Sequence, residues 1–176
     1  MSYLREMYLQ KSKGKLTSTI SELSSNMAKD VLNKTIFVWT VNDLFFKFHN
    51  FVDGDYVYKK DRGYAFEQQL NDNTNNVLDK RIFEYYTPEF KSEIPMLIIN
   101  PTIVNNGKRL IISPQPTSYL SYIAPQENIK NNFLLESIEF KRFFKDQDAK
   151  NLKFTSALRM NSTFPYIMPI VSLPSN

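Results

Sequence analysis

Phe154-Thr155-Ser156-Ala157-Leu158-Arg159-Met160-Asn161-Ser162-Thr163-Phe164-Pro165-Tyr166-Ile167-Met168-Pro169 is the stretch whose reading decides the fold. Phe154, Ala157, Leu158 and Asn161 recur at the spacing of one helix face, so the segment predicts a short helix with a mostly apolar stripe. Ser162 and Thr163 compete locally for backbone hydrogen bonds, and Pro165 has no N–H to give. The helix is therefore expected to stop near Thr163. An extended run, Tyr166 to Leu173, follows it. A short buried helix feeding a strand is a joint of α/β proteins.

Upstream lies the best strand candidate. Ile94-Pro95-Met96-Leu97-Ile98-Ile99 is a continuous apolar run, which predicts a strand covered on both faces. Pro95 belongs at its first residues because it cannot donate to a ladder. Thr102-Ile103-Val104 continues to Asn105-Asn106-Gly107, a tight-turn signal, and Arg109-Leu110-Ile111-Ile112-Ser113 is read as the returning strand. Pro114-Gln115-Pro116 breaks it. Ser118 to Ile123 is short and aromatic. Leu134 to Phe144 stays open between strand and helix, and Lys145 to Lys150 reads as a charged turn.

The first half is more helical. Met1 to Gln10 predicts a helix with Tyr3, Leu4, Met7 and Tyr8 on its apolar face, closed by a polar break at 11–15 around Gly14. Thr19-x-x-Glu22 fits a capping box, and Ile20, Leu23, Met27, Ala28 and Val31 then share a face. Ile36 to Phe48 is apolar nearly all round, and period alone does not separate helix from strand there. Trp39, Phe45, Phe46, Phe48 and Phe51 are read as core in preference to an acyl-chain contact surface. Residues 53–88 are polar and turn-rich. A short helix opens at Arg62-Gly63-Tyr64-Ala65-Phe66-Glu67, and a loop is expected at Asn71-Asp72-Asn73-Thr74-Asn75-Asn76.

The chain of 176 residues is long enough for one domain with a real core, and its 42% apolar and 23% charged residues are ordinary globular values. It has no Cys and a single His, His49, which is read as structural; thiolate and His-cluster metal sites and a Ser-His-Asp triad are thereby disfavoured. The net charge is +4, and residues 1–34 carry six Lys or Arg against three acids. Such an excess suits a solvated face or an anionic surface. No signal peptide and no membrane span is legible. Glu84/Glu89 and Asp146/Asp148 read as solvated carboxylates. Arg142-Phe143-Phe144-Lys145 is the one nucleic-acid-like interleaving, and the reading is against nucleic acid.

Ala157-Leu158-Arg159-Met160-Asn161-Ser162-Thr163-Phe164-Pro165 resembles a signature of the patatin-like phospholipases, Ala-Leu-Arg-x-x-Ala/Ser/Thr-x-Phe-Pro, carried on a helix shortly before the catalytic Asp. The strand, Thr102 and Gly107 turn have a similar counterpart in that family. Met1-Ser2-Tyr3-Leu4-Arg5-Glu6 resembles the helix leaving its nucleophile elbow, and Leu173-Pro174-Ser175-Asn176 the approach to its Asp motif. The resemblance implies helix for Ile36–Phe48. It also implies an incomplete three-layer α/β/α fold with a partial mixed sheet, in one truncated domain. That domain would have a helical part (1–52), a polar insertion or lid-like region (53–93) and a hairpin plus helix–strand unit (94–176).

The family consists of serine acyl hydrolases with a Ser–Asp dyad, and none of its three motifs is present. Four glycines, at 14, 54, 63 and 107, are too far apart for Gly-x-Ser-x-Gly. Asp53-Gly54 is followed by Asp55 and precedes the Ala157 run, so it is read as a turn. No catalytic residue, cofactor or metal is assigned. The resemblance implies a segment of a lipid acyl hydrolase lying between the Ser and the Asp, inactive by itself because it lacks the nucleophile. Arg159 and Asn161 are its site-adjacent polar candidates, set against a purely structural role. Expected partners are a lipid or membrane surface and, through an uncovered sheet edge, a second copy. The expected location is cytoplasmic or peripheral to a membrane. The reading from a different class is a non-catalytic module that meets a membrane or protein with basic helices and exposed aromatics.

Overall fold

A computed structural model describes residues 1–15, 19–42, 45, 49–121, 137–163 and 167–173. In chain order the elements are α1 (Ser2–Ser12), α2 (Ile20–Ala28), α3 (Leu32–Phe37, continued by a π-helical turn Val38–Asn42), β1 (Asn50–Asp53), β2 (Tyr56–Lys59) and α4 (Arg62–Asn73). They continue with α5 (Tyr86–Phe90), β3 (Arg109–Ile111), β4 (Ser137–Glu139), α6 (Phe140–Phe143) and α7 (Phe154–Ser162). Helix and strand are mixed, with two small sheets, so the class is α/β. The chain divides into two compact units, residues 1–80 with 153–176, and residues 81–152.

In the first unit α4 is central, with α3 and α7 packed along it. α4 begins where Asp61 accepts from the Tyr64 N–H at 2.9 Å, which satisfies one of the free first-turn donors. It runs to Asn73, three residues into the expected loop. Leu70, Asn71 and Asp72 carbonyls accept from the cap, and Thr74 Oγ1 adds a bond to the Leu70 carbonyl at 2.8 Å. Those local bonds carry the helix into a sequence whose composition favours a turn; the left-handed residues Asn75 and Asn76 then end it. β1 and β2 form an antiparallel hairpin pairing Asp53 with Tyr56. Gly54, at φ +63, supplies the left-handed first position of its two-residue turn. Asp53-Gly54 is thus the turn that was expected.

The capping box forms: Thr19 Oγ1 accepts from the Glu22 N–H at 3.3 Å, and Glu22 Oε2 accepts from the Thr19 N–H at 2.9 Å. The predicted face is corrected. α2 buries Asn26, which donates to the Tyr3 hydroxyl at 3.0 Å, and leaves Met27 exposed; Val31 lies beyond it, as the N-cap of α3. In α1 Tyr3 and Met7 are buried as expected. Leu4 and Tyr8 are exposed, and Arg5, Glu6 and Leu9 take the inner positions.

α7 stops at Thr163, as expected. Phe154 and Ala157 are fully buried, but the inner face turns toward Thr155 and Arg159. Asn161 is exposed. The run after it holds no strand over residues 167–173; Pro169 has no N–H for a ladder, and Met168 is buried singly.

The second unit holds the other sheet, in which β3 and β4 are parallel. Antiparallel bridges Ile99–Ile112 and Thr102–Arg109 add the expected return, and Gly107, at φ +69, makes its turn. The strand expected over Ile94–Ile99 shrinks to one bridge. Ile94 and Ile99 are buried while Met96 and Ile98 are exposed, so the run is not covered along its length. Leu134–Phe144 resolves, within its described part, into β4 followed directly by α6. Glu89 is corrected from solvated to buried, accepting from the Leu97 N–H at 3.2 Å. Phe144 is buried against Phe140 and Phe143, so its ring is not free to stack on a base. The expectations for Phe46, Phe48 and residues 122–136, 164–166 and 174–176 lie outside the described residues.

Candidate functional site

Two features of the first unit stand apart from ordinary packing. One is a buried polar knot, built from three turns of two helices. Asp61 sits at the start of α4, with Gly63 and Glu67 one turn apart on its inner face. Thr155, Ser156 and Arg159 meet them from α7. Arg159 Nη1 lies 3.1 Å from Glu67 Oε1 and 3.9 Å from Asp61 Oδ1. Glu67 Oε2 accepts from Ser156 Oγ at 2.7 Å and from Thr155 Oγ1 at 3.4 Å. Arg159 is 7% exposed. The guanidinium lies against Gly63, where a β-carbon would come 2.6 Å from Arg159 Cζ.

Burial pushes the Glu67 carboxyl above the ordinary glutamate range. The Arg159 guanidinium, the Ser156 hydroxyl, Lys153 and the Thr155 hydroxyl pull the other way and offset only part of the effect. Both carboxylate oxygens are engaged, Oε1 by Arg159 and Oε2 by Ser156 and Thr155. The knot clamps α7 to α4. Arg159, singled out in the sequence, belongs to it. Asn161 does not, and the structure does not bring the two together. Glu67, Gly63 and Asp61 were missed as a group. Their signal was the Asp61-x-x-Tyr64 cap with Gly63 and Glu67 four apart, which places both on one helix face.

The second feature is an inverted helix. α3 and its π turn bury Thr35 completely and turn Leu32, Ile36, Phe37 and Trp39 outward, with Phe37 61% exposed. Phe45, just beyond, is 77% exposed. Reading Trp39 and Phe45 as core is thereby corrected. α3 packs along α4, and its buried Thr35 is hydrogen-bonded to the Val31 carbonyl at 3.4 Å. It is held by Asn73 Nδ2, which donates to the Lys29 and Asp30 carbonyls at 3.3 and 3.0 Å, and by Lys34 Nζ, 3.4 Å from Asp72. The Arg62 guanidinium sits 5.6 Å from the Trp39 ring centre, an ordinary cation–π distance. Large apolar side chains are thus exposed on more than one side of this helix, around a buried Thr35.

Among the described residues no cluster of His, Cys, Asp and Glu has the geometry of a metal site, and no helix is long and apolar enough to cross a membrane. His49 is exposed, and its carbonyl accepts from the Lys60 N–H at 2.7 Å, extending the hairpin. No protein-family model, no curated protein and no solved structure matches the chain.

Proposed function

We propose that the chain is a non-catalytic module that docks on an anionic lipid surface through the outward face of α3. The inverted register of that helix carries the reading: Leu32, Ile36, Phe37, Trp39 and Phe45 point away from the core while Thr35 is buried. Each large apolar side chain contributes about 1.5–3 kcal/mol when moved fully out of water, so even partial immersion of this row is enough to hold a small protein at an interface. The basic excess of residues 1–34 supports the choice of an anionic surface. A Lys or Arg near such a surface adds about 1 kcal/mol, which salt removes. Co-sedimentation with vesicles tests it. The chain pellets with phosphatidylserine-containing vesicles at low salt, pellets less at high salt, and a Phe37→Ser/Trp39→Ser variant stays in the supernatant. Equal pelleting of that variant refutes the docking face.

A second reading is favoured by α7. We propose that the module is a piece of a patatin-like lipid acyl hydrolase, whose three-layer fold would supply the rest of the sheet. The Ala157-Leu158-Arg159 run lies on a helix that ends before Pro165, as the resemblance implies. In this reading the parent hydrolyses lipid esters, and Arg159 positions α7 beside the dyad Asp without touching substrate. The coding sequence on either side tests it: Gly-x-Ser-x-Gly before the first residue and Asp-Gly-Gly after the last support the parentage, and their absence removes it. The isolated chain is expected to leave p-nitrophenyl butyrate uncleaved.

A further inference from the structure

Asn106-Gly107 is the one Asn-Gly pair in the chain, and it lies in the turn between the bridged residues Thr102 and Arg109 of the second unit. The backbone nitrogen after an asparagine can attack the side-chain amide carbon and close a five-membered imide. A side chain on the following residue crowds that approach, and glycine has none. The surroundings are open as well. Residues 104–107 are exposed, and a β-carbon built on Gly107 would meet nothing within 4 Å. Asn106 Oδ1 accepts from the Lys108 N–H at 3.0 Å, which folds the side-chain amide back along the following residues. The same N–H points at the oxygen on which negative charge gathers during attack, the placement of an oxyanion donor.

One observation opposes the reaction. The Gly107 N–H donates to the Ile103 carbonyl at 2.8 Å and must leave it. In an exposed turn water takes the place of that carbonyl, so the bond slows the step without blocking it. Other asparagines lack the combination: Asn75 and Asn76 are left-handed but are followed by Asn and Val, and Asn71 and Asn73 are buried. We propose that Asn106 is a self-modification site. The Gly107 nitrogen bonds to Asn106 Cγ, the bond from Cγ to the side-chain nitrogen breaks, and ammonia leaves with the Gly107 proton. Water then opens the imide at either carbonyl, giving aspartate or isoaspartate. Either product adds a negative charge beside Lys108 and Arg109. Isoaspartate also lengthens the main chain of the turn by one carbon. That change falls between the Ile103 N–H and the Lys108 carbonyl, now 2.8 Å apart, so this bond and the Thr102–Arg109 bridge beyond it are lost.

Ageing the whole chain in mildly alkaline buffer, with its peptides mapped by mass at intervals, tests this. The peptide carrying Asn106 is expected to gain the mass of an amide-to-acid exchange and to split into two chromatographic products, one of them a substrate for isoaspartyl methyltransferase. Its conversion should run at least tenfold ahead of every other asparagine, Asn75 and Asn76 included. Gly107→Asn keeps a residue that tolerates the left-handed turn, φ +69 in the wild type, and its side chain should slow conversion at Asn106 at least tenfold. The aged fraction, separated by its added charge, should melt below the fresh chain. An Asn106 that stays an amide, or that converts no faster than Asn75, overturns the proposal even if the Gly107 variant fails to fold. An unchanged rate in a folded Gly107 variant overturns the route through the Gly107 nitrogen, and equal melting of aged and fresh chain overturns the loss of the bridge. None of these measurements involves lipid, so their failure and failure of the docking reading are separate results.

Discussion

Gly63 has no β-carbon, and the Arg159 guanidinium occupies the space where one would lie. Gly63→Ala gains about 1 kcal/mol of helix propensity, yet it must push aside a guanidinium held by two carboxylates. Overpacking of this kind costs about 1–3 kcal/mol, so the variant is expected to melt lower than the wild type. Arg159→Ala strands Glu67 in the interior and should cost about 3–5 kcal/mol, whereas Arg159→Met with Glu67→Leu removes both charges and should cost far less than the single change. Denaturant unfolding of the wild type, Arg159→Met, Glu67→Leu and the double variant measures the coupling of the pair. The raised Glu67 pKa has a defined sign. The native carboxyl holds its proton at a pH where the unfolded chain has lost it, so its contribution is fully present below the ordinary glutamate value. That contribution is lost as pH rises through the raised native value. Wild-type stability should decline across that window, and Glu67→Gln should flatten the decline. Arg159 was legible as a residue of interest. Its partner was not, because Glu67 lies 92 positions away by sequence number (159 against 67), and nothing local in Arg62–Glu67 names what faces it.

At the scale of elements, local signals were read well and faces poorly. The Thr19–Glu22 box, the Gly54 and Gly107 turns and the end of α7 each depend on a few neighbouring residues, and each formed. The apolar faces of α1 and α2, and the core assignment of Trp39 and Phe45, depend on which side a neighbour approaches; half of the α1 face is buried as read, and the others turned out otherwise. The run Ile94–Ile99 failed for a related reason: continuous hydrophobicity predicts a strand only where both faces are covered. α3 gives the sharpest test of the difference. Phe37→Ser should change stability by no more than about 0.5 kcal/mol, as for an exposed site, while Thr35→Phe at the buried position should lower it by about 1–3 kcal/mol. Thermal melts of the two variants check this; a large loss for Phe37→Ser places that ring inside.

Across the molecule, the helix–strand mixture and two small sheets agree with the class read from the sequence. The three-layer sheet implied by the patatin resemblance belongs to the proposed parent. What the first unit offers a partner is an uncovered aromatic row in a chain with a basic start, and the docking reading rests on that row. Trp39 is the only tryptophan of the chain, so its fluorescence reports on that face alone. The most direct measurement is quenching of Trp39 in the presence of phosphatidylserine vesicles, by lipids brominated on the acyl chain and by aqueous iodide. Immersion of the α3 face predicts strong quenching by the brominated chains and protection from iodide. Undiminished iodide quenching with no effect of bromine contradicts it.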